Sequence, residues 1–296
     1  MRAPTSNRQA LRWATCFLRQ RGVENPALEA EVLLRHIRGW DQAQLYSCLE
    51  SRIDLKNWGR FRRLVRLRAR RWPTAYLTQH KEFMGLDFMV TPDVLVPRPE
   101  TEILVETALR IIEHMWAGRQ GAQGSPLKVI DVGTGSGAIA LSLAKYAQVP
   151  LELWATDRSS AALTVAKQNC LRLQLEGRVK WAKADLLEGL ASQGWDLVVS
   201  NPPYIPRPEL DRLPPEVRRE PRLALDGGSD GLMIYRRLIP QAAAALAPKG
   251  WLALEIGWNQ AQAVSAYVRS TGRFNEPMVI KDYAQKDRVI IAERWT

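Results

Sequence analysis

Four consecutive residues, Asn201, Pro202, Pro203 and Tyr204, carry the groups best suited to chemistry in this chain. They follow the apolar run Trp195–Ser200, which is typical of a buried parallel strand, so we expect them where a strand of an open α/β sheet ends and its ligand crevice begins. Neither proline can donate to a sheet, and each restricts the residue before it, so the loop should be rigid and extended. The Asn201 carbonyl and the adjacent backbone carbonyls would then offer acceptors to a planar NH2 group, beside the flat Tyr204 ring. An ordinary Pro-Pro turn with a capping Asn would give the same four residues.

Residues 131–137 predict a ligand-binding turn. The apolar strand at 128–131 runs into three closely spaced glycines, and apolar residues at helical spacing follow, so the glycines fall in the first βα loop. The Gly-x-Gly-x-Gly spacing is one residue shorter than the dinucleotide fingerprint, which argues against a pyrophosphate ligand. A tight turn without a ligand is the alternative.

Two further carboxylates end strand-like runs. Asp157 ends Leu151–Asp157, about where the ribose-binding acid of a nucleotide fold falls, and its carboxylate can accept from both ribose hydroxyls. Asp185 ends the run 179–185 and could meet an adenine amino group, with Leu186 beside it in the same site. Each acid alone could equally be a helix N-cap or a surface carboxylate. Three strand-end sites in one unit favour a bound nucleotide.

The combination of residues 131–137 with 201–204 resembles a class I S-adenosylmethionine-dependent methyltransferase that acts on a planar nitrogen. Two more segments, Val-Pro-Arg-Pro-Glu-Thr-Glu at 96–102 and Glu-Pro-Arg-Leu-Ala-Leu-Asp-Gly-Gly-Ser-Asp-Gly-Leu at 220–232, resemble the HemK family of protein glutamine N5-methyltransferases. Enzymes of that family act on class 1 peptide-chain release factors. The resemblance runs from about residue 76 to residue 294. It implies a Rossmann-like α/β fold with a seven-stranded sheet containing an antiparallel strand, preceded by a small helical bundle.

The resemblance also implies a reaction and a site. The glutamine side chain of the release factor's Gly-Gly-Gln motif would lie against Asn201, Pro202 and Tyr204, with Pro203 completing the substrate-binding segment, and would be methylated on its nitrogen. Carbonyl acceptors on both N–H bonds would align that nitrogen, so we expect neither a metal nor a covalent intermediate. The implied site for S-adenosyl-L-methionine comprises Asp131, Gly133, Thr134, Gly135, Ser136, Gly137, Asp157, Asp185, Leu186 and Asn201.

Three positions depart from the family pattern. Arg71, Gln79 and Gln285 stand where the family usually has glycine, and all three lie outside the methyl-transfer motifs. Glycine at such positions serves a left-handed backbone conformation. We therefore expect an effect on local loop geometry rather than on the reaction.

The remaining sequence predicts the elements around these motifs. Residues 1–72 are expected to form a basic helical domain that recognises the substrate protein, 73–100 a linker with a β-hairpin, and 101–296 the methyltransferase domain. The hairpin is predicted to pair 82–90 with 94–96. A helix is expected at 101–116, followed by a surface loop at 118–126. Later strands are predicted at 251–256, 278–281 and 289–292.

Charge is concentrated in residues 1–72, which hold 16 Arg and Lys against 6 Asp and Glu, while the whole chain has a net charge of +11. Residues 60–71 place several of these arginines on one predicted helix. A solvated face is the simpler interpretation, and contact with an acidic protein surface or with RNA is the alternative. Because the family implies a release factor as partner, we prefer a protein to nucleic acid.

Composition agrees with a soluble intracellular enzyme, and we expect it to be cytoplasmic and, separately, a monomer. The 296 residues, 46% hydrophobic, can form one sizeable and one small domain, and no apolar run reaches membrane-spanning length. The three cysteines are widely spaced, as reduced thiols are, and show no metal-ligand spacing. Arginines preceding Glu24 resemble a transit peptide, but the apolar stripe at residues 9–18 favours a folded helical domain.

Two other functions compete with this interpretation. Nucleic-acid amino methyltransferases, acting on adenine N6 or cytosine N4, also present a planar NH2 to an Asn-Pro-Pro-aromatic loop. Against them stand the matches at 97–102 and 220–232 and the lack of an inserted recognition region after Tyr204. A nucleotide-binding module without catalysis would not need residues 201–204.

Overall fold

The computed structural model describes residues 5–119, 125–190 and 194–295. The chain divides into two compact units, Met1–His80 with Pro214–Arg219, and Lys81–Leu213 with Glu220–Thr296. Part of the predicted loop at 118–126, residues 120–124, lies outside the described residues, as do residues 1–4 of the arginine-rich N-terminus. Within the described ranges, no helix is both long and apolar enough to cross a membrane.

The first unit is helical, as predicted. Ser6 caps its first helix by accepting a hydrogen bond from the backbone N–H of Gln9, and Asp54 caps the fourth in the same way. Apolar side chains at helical spacing, among them Leu18 and Phe61, meet in one core. The helices are α1 Asn7–Gln20, α2 Pro26–Arg38, α3 Gln42–Ser47, α4 Leu55–Ala69 and α5 Thr74–Thr78.

The arginines in and just after α4 differ in exposure and in partners. Arg68 is buried and forms ion pairs with Glu29 at 3.0 Å and Glu216 at 2.8 Å, and Arg71, just beyond the helix, also pairs with Glu216 at 3.1 Å. By contrast, Arg60, Arg63 and Arg66 are exposed. The predicted basic helix therefore keeps only part of its charge at the surface of this unit.

The second unit is built on a seven-stranded sheet of order β5-β4-β3-β6-β7-β9-β8. All neighbouring strands are parallel except β9, which runs antiparallel to β7 and β8. This confirms the predicted sheet with its antiparallel strand. The strands are β3 Leu127–Val132, β4 Leu151–Asp157, β5 Val179–Lys183, β6 Trp195–Ser200, β7 Leu246–Glu255, β8 Met278–Lys281 and β9 Asp287–Glu293.

Helices cover both faces of the sheet. Alternate residues of β3 point to opposite faces, so Val129 packs in one core and Ile130 in the other. Three helices contribute to the core of Val129: α6 Glu102–Gly118, α7 Ala138–Tyr146 and α8 Ser160–Arg172. Two helices contribute to the core of Ile130: α9 Met233–Ala245 and α10 Ala261–Ser270. Burial on both faces explains why the central strands β3 and β6 read as nearly continuous apolar runs.

The predicted pairing of 82–90 with 94–96 was wrong. The hairpin instead pairs β1 Lys81–Phe83 with β2 Leu86–Phe88. Met84 and Gly85 both adopt positive φ, of 52° and 68°, which closes the tight two-residue turn that matches strand twist. Residues 94–96 form no strand and lie along the pocket described below.

The three departures from the family pattern all lie in left-handed backbone. Arg71, Gln79 and Gln285 have φ of 65°, 53° and 60°. This is the conformation predicted for glycine at these positions.

Candidate functional site

The pocket of the second unit opens at the carboxyl ends of the parallel strands. Its floor lies between the neighbouring strands β3 and β6. This is the switch point of the sheet, because the strands that follow β3 in sequence lie on one side and those that follow β6 lie on the other. The Ser200 hydroxyl ties these two strands together there by donating to the Val132 carbonyl at 2.7 Å. Eight predicted site residues line the pocket: Gly133, Gly135, Asp157, Asp185, Leu186, Asn201, Pro202 and Pro203.

Gly133 and Gly135 form a wall made of backbone. Their φ angles are 76° and 56°, and a Cβ added at either would meet no atom within 4 Å. The missing side chains therefore leave open space on the pocket side, where a ligand can approach the backbone. The turn is held by β4, because the N–H groups of Gly133 and Thr134 donate to the Thr156 carbonyl at 2.9 and 2.8 Å.

Four predicted cofactor residues lie behind this wall rather than on it: Asp131, Thr134, Ser136 and Gly137. Asp131 is fully buried and accepts hydrogen bonds from the Thr134 hydroxyl at 2.6 Å and the Ala140 N–H at 3.2 Å. Its Oδ1 has no hydrogen-bond partner among the described residues. Burial raises the pKa of Asp131 to about 7. These contacts brace the turn and the start of α7.

Asp157 stands at the end of β4 with its carboxylate on the pocket wall. It accepts from the Gly135 N–H at 3.0 Å and from the Ser159 N–H at 2.8 Å. Burial raises the pKa of Asp157, and these hydrogen bonds oppose the rise. The carboxylate thus joins the glycine turn to the start of α8 and still faces the pocket.

Asp185 lies in the loop after β5, which ends at Lys183 and is two residues shorter than predicted. Its Oδ2 accepts from an Arg237 guanidinium nitrogen at 2.8 Å. Leu186 follows with a positive φ of 58°, and both residues line the pocket. The acid is therefore held in place by α9 at one end of the pocket.

Asn201 begins the opposite wall, directly after the fully buried strand β6. Its Nδ2 donates to the Thr101 hydroxyl at 3.1 Å, whereas its Oδ1 accepts from no group in the described part of the chain. Pro202 and Pro203 continue the same wall. A carbonyl acceptor held in this way can receive an N–H from a ligand.

Tyr204 is not on the pocket wall, although the sequence predicted its ring there as a substrate contact. Its hydroxyl donates to Glu255 Oε1 at 3.4 Å, and its carbonyl accepts from Gln260 Nε2 at 3.0 Å. Burial and the neighbouring Glu255 raise its pKa well above the ordinary tyrosine value. Tyr204 therefore anchors the loop from behind.

Glu255 is a buried carboxylate that the sequence analysis missed. It is 1% exposed at the end of β7, and burial raises its pKa to about 7. The available signal was the same one that marked Asp157, an acid at the end of an apolar strand next to the crevice.

The two segments that carried the family resemblance meet each other. The buried Glu220 accepts from the Val96 N–H at 3.0 Å and forms an ion pair with Arg98. Backbone hydrogen bonds join Ile205 to Leu225 and Gly227, and a Cβ at Gly227 would come within 2.8 Å of the Tyr204 backbone. The segments therefore form one support for the loop after β6. The pocket residues that the sequence did not predict are Asp93, Val94, Leu95, Val132, Arg158, Ser159, Ala162, Ala184, Ser200, Pro221, Leu223, Ala224 and Ile234.

Comparison with known proteins agrees with this architecture. Residues 9–78 match the family described as PrmC N-terminal domain, and residues 119–211 match the family described as Methyltransferase small domain. A methyltransferase structure from Pyrococcus furiosus is 20% identical with a TM-score of 0.53, covering 73% of this chain and 92% of that chain. This likeness supports the fold alone.

Relatives in sequence are much closer. The release factor glutamine methyltransferase of Moorella thermoacetica is 47% identical over 288 residues, 97% of this chain and 98% of that protein. That of Geobacter sulfurreducens is 42% identical over 285 residues, 96% of this chain and 95% of that protein. With such identity over nearly the full length, the chain belongs to the family of release factor glutamine methyltransferases.

Proposed function

We propose that this protein transfers a methyl group from S-adenosyl-L-methionine to the side-chain amide nitrogen, N5, of the glutamine in the Gly-Gly-Gln motif of class 1 peptide-chain release factors. The modification would modulate translation termination. The observation that carries the proposal is the Asn201 amide, whose NH2 is held by Thr101 while its carbonyl oxygen accepts from no described protein group. Asn201 lines the same pocket as the glycine turn.

The glycine wall fits the cofactor. Gly133 and Gly135 leave space for a ligand against the backbone, and the Asp157 carboxylate faces the same pocket and can accept from ribose hydroxyls. Asp185, which also lines the pocket, would accept from an adenine amino group. S-adenosyl-L-methionine supplies an electrophilic methyl group when bound.

The Asn-Pro-Pro wall fits a carboxamide. An amide nitrogen is a poor nucleophile because its lone pair is delocalised into the carbonyl. Asn201 Oδ1 and a backbone carbonyl of the rigid loop can accept its two N–H bonds, which orients the nitrogen and stabilises the positive charge that develops on it. The reaction replaces one of these hydrogens by a methyl group and releases a proton.

The helical unit would recognise the release factor as a folded protein. Its exposed Arg60, Arg63 and Arg66 offer a positive face to an acidic surface. We propose a monomer acting in the cytoplasm, where translation supplies the substrate.

Mass spectrometry tests the reaction. The full chain is incubated with a release factor and S-adenosyl-L-methionine, beside a release factor whose Gly-Gly-Gln glutamine is replaced by alanine. We expect one methyl group on that glutamine in the first sample and none in the second. A protein that binds the methyl donor but methylates only DNA or RNA would instead be a nucleic-acid amino methyltransferase.

A second experiment tests the helical unit. Replacing Arg60, Arg63 and Arg66 with Gln should slow methylation of an intact release factor more than that of a short glutamine peptide, because only the intact protein reaches beyond the pocket. Equal slowing of both substrates would contradict a role in recognition.

A further inference from the structure

We propose that Gln260 is a positioning residue for methyl transfer, which uses its side-chain amide to hold the Asn-Pro-Pro wall, residues 201–203, in place through the Tyr204 carbonyl. Gln260 does not line the pocket itself and so acts through Tyr204. This assignment rests on the proposed function, because the wall that Gln260 holds is the one that would present the Asn201 carbonyl to a substrate NH2.

The Gln260 side chain joins three segments of the second unit. Its Nε2 donates to the Tyr204 carbonyl at 3.0 Å and to the Gly231 carbonyl at 3.3 Å, and its Oε1 accepts from the Gly257 N–H at 3.0 Å. Gln260 is buried, and a Cβ at Gly231 would collide with its Nε2 and with the Tyr204 carbonyl oxygen. Because an amide carries its donors on nitrogen and its acceptor on oxygen, only one orientation of the Gln260 side chain satisfies all three backbone groups.

The Asn-Pro-Pro wall is held at both ends. It begins directly after Ser200, the last residue of β6, and it ends at Tyr204, whose carbonyl Gln260 binds. The two prolines between these ends have restricted φ angles, so the place of the Asn201 acceptor depends on where both ends are held. Without the bond from Gln260, the far end can shift, and a small displacement of the acceptor misaligns the substrate nitrogen.

The other backbone bonds of this loop serve a different purpose. Ile205 is hydrogen-bonded to Leu225 and Gly227, which joins the loop to the second of the two segments that carried the family resemblance. Gln260 binds one carbonyl from each of these two loops and links both to Gly257, two residues beyond the end of β7. The Gln260 amide therefore ties the paired loops to the end of a central strand.

The backbone of Gln260 is itself held in place. Its N–H donates to the Gly257 carbonyl at 2.8 Å, and its carbonyl accepts from the Val264 N–H at 2.9 Å in the first turn of α10. Val264 and Val268 of this helix are buried in the core that contains Ile130. Because moving Gln260 would disturb that packing, its side chain gives the loop a rigid point of attachment.

A buried amide behind the glycine wall makes the same pattern of bonds. Asn169 Oδ1 accepts from the Met89 N–H at 2.7 Å, and its Nδ2 donates to the carbonyls of Met89 and Ser136, both at 2.9 Å. Asn169 is fully buried, and Ser136 belongs to the glycine turn. Each wall thus has one amide that binds three backbone groups, so the loss of the same number of hydrogen bonds can be compared between the walls.

The test replaces each amide with an apolar side chain of similar size, in Gln260→Met and Asn169→Leu. Both variants lose three buried hydrogen bonds, so both should melt at a lower temperature than the wild type. At a temperature where both are folded, with an intact release factor and saturating S-adenosyl-L-methionine, Gln260→Met should lower kcat by about tenfold, the scale of one hydrogen bond. Asn169→Leu should lower kcat less.

Calorimetry of the same two variants should give the opposite order. Binding of S-adenosyl-L-methionine should stay close to that of the wild type in Gln260→Met, because the glycine wall is untouched. It should weaken in Asn169→Leu, because the Ser136 carbonyl loses its donor. A purely structural role for both amides would instead lower the melting temperature of both variants and leave no such contrast between kcat and affinity.

Gly257→Ala disturbs Gln260 without removing it. A Cβ at this position would lie 2.9 Å from Gln260 Oε1, so the side chain must shift. We expect a smaller fall in kcat than in Gln260→Met, with cofactor affinity unchanged. The double variant should be little slower than Gln260→Met alone, because methionine has no amide to displace.

Three results would overturn the role of Gln260: wild-type kcat in folded Gln260→Met, equal losses of kcat in Gln260→Met and Asn169→Leu, or additive losses in the double variant. If Gln260→Met fails to fold, wild-type kcat in Gly257→Ala overturns it instead. If the wild type places no methyl group on the release-factor glutamine and methylates a nucleic-acid amine, the proposed function fails separately. The same variants then measure the role of Gln260 on that substrate, which also presents a planar NH2.

Discussion

The two walls of the pocket differ in where their support comes from. The glycine wall, Gly133 and Gly135, is braced by Asp157 only 22 positions from Gly135 and by Asp131 within the same turn. The Asn-Pro-Pro wall, residues 201–203, is braced by Thr101, 100 positions from Asn201, and through Tyr204 by Glu255, 51 positions away. One wall is a local motif, whereas the other depends on the assembled second unit.

This difference separates binding from orientation. The glycine wall offers backbone and a carboxylate to a ligand, and its braces hold a turn whose shape is already set by glycine. The Asn-Pro-Pro wall offers the Asn201 amide, whose NH2 donates to Thr101, a residue distant in sequence. Substitutions in the two walls should therefore give opposite kinetic signatures.

The largest expected effect is that of Asn201→Ala. It removes the side-chain acceptor and leaves the glycine wall untouched, so methyl transfer should fall by roughly 10²-fold or more, the scale of one preorganised transition-state contact. Calorimetry should show cofactor affinity close to that of the wild type. Full turnover in this variant would show that the Asn201 side chain takes no part in catalysis.

Asp157→Ala should give the reverse pattern. Loss of charge-assisted hydrogen bonds to the ribose should weaken S-adenosyl-L-methionine binding by roughly 1–3 kcal/mol, with turnover largely recovered at saturating cofactor. Asp157→Asn is the matched control and should lose less, because its remaining oxygen can still accept from Gly135 or Ser159. Wild-type affinity of the alanine variant, measured by calorimetry, would place Asp157 outside the binding site.

The features that could be predicted from the sequence are those that depend on residues within a single motif. Strands β4, β6 and β8 begin and end where the sequence predicted. For β6 the reason is its burial on both faces, which leaves an almost uninterrupted apolar run. The positive φ of Arg71, Gln79 and Gln285 followed from the expectation of glycine. The glycine turn and the acid after it could be located in the same way.

The supports of the second wall could not be predicted from local pattern. Thr101 meets Asn201 only because α6 packs on the sheet, and Glu220 meets Val96 only because two distant loops cross. The hairpin was predicted wrongly because the turn at Met84 and Gly85 lies inside the segment 82–90, which was expected to form a single strand. The sequence predicted that the Tyr204 ring contacts the substrate, but its hydroxyl donates to Glu255, a residue that no local pattern pairs with it.

One buried acid lies behind each wall, and both acids should make the stability of the protein depend on pH. Burial raises the pKa of both Asp131 and Glu255 to about 7, from ordinary values of 3.8 and 4.5. A raised folded-state pKa means that the stabilising contribution is present below the ordinary pKa and is lost as pH rises through about 7. Each acid should therefore lower the free energy of unfolding by about 1.4 kcal/mol per pH unit within this window.

Denaturant titrations between pH 5 and about 8 measure this loss. Asp131→Asn and Glu255→Gln should each flatten the dependence. If only one of them does, the two walls differ in how their buried acid is charged.

The smallest effect concerns the turn at Gln285. Gln285 adopts φ of 60° in the loop where Asp282 accepts from the N–H groups of Ala284 and Lys286 and pairs with Arg288, the cation near Glu255. Gln285→Gly should relieve the left-handed strain and raise the free energy of unfolding by roughly 0.5–1 kcal/mol, with kcat unchanged.

Arg71→Gly is the informative contrast, because Arg71 has nearly the same φ of 65° but uses its guanidinium to bind Glu216 and the carbonyls of Arg21 and Gly22. It should destabilise the protein, since those contacts outweigh the relief of strain. Denaturant titration of both variants separates backbone strain from side-chain contacts. A fall in kcat for Gln285→Gly at unchanged or higher stability would mean that the support of the Asn-Pro-Pro wall extends through Arg288 to this turn. The position of Asn201 would then depend on a larger part of the second unit than its direct contacts indicate.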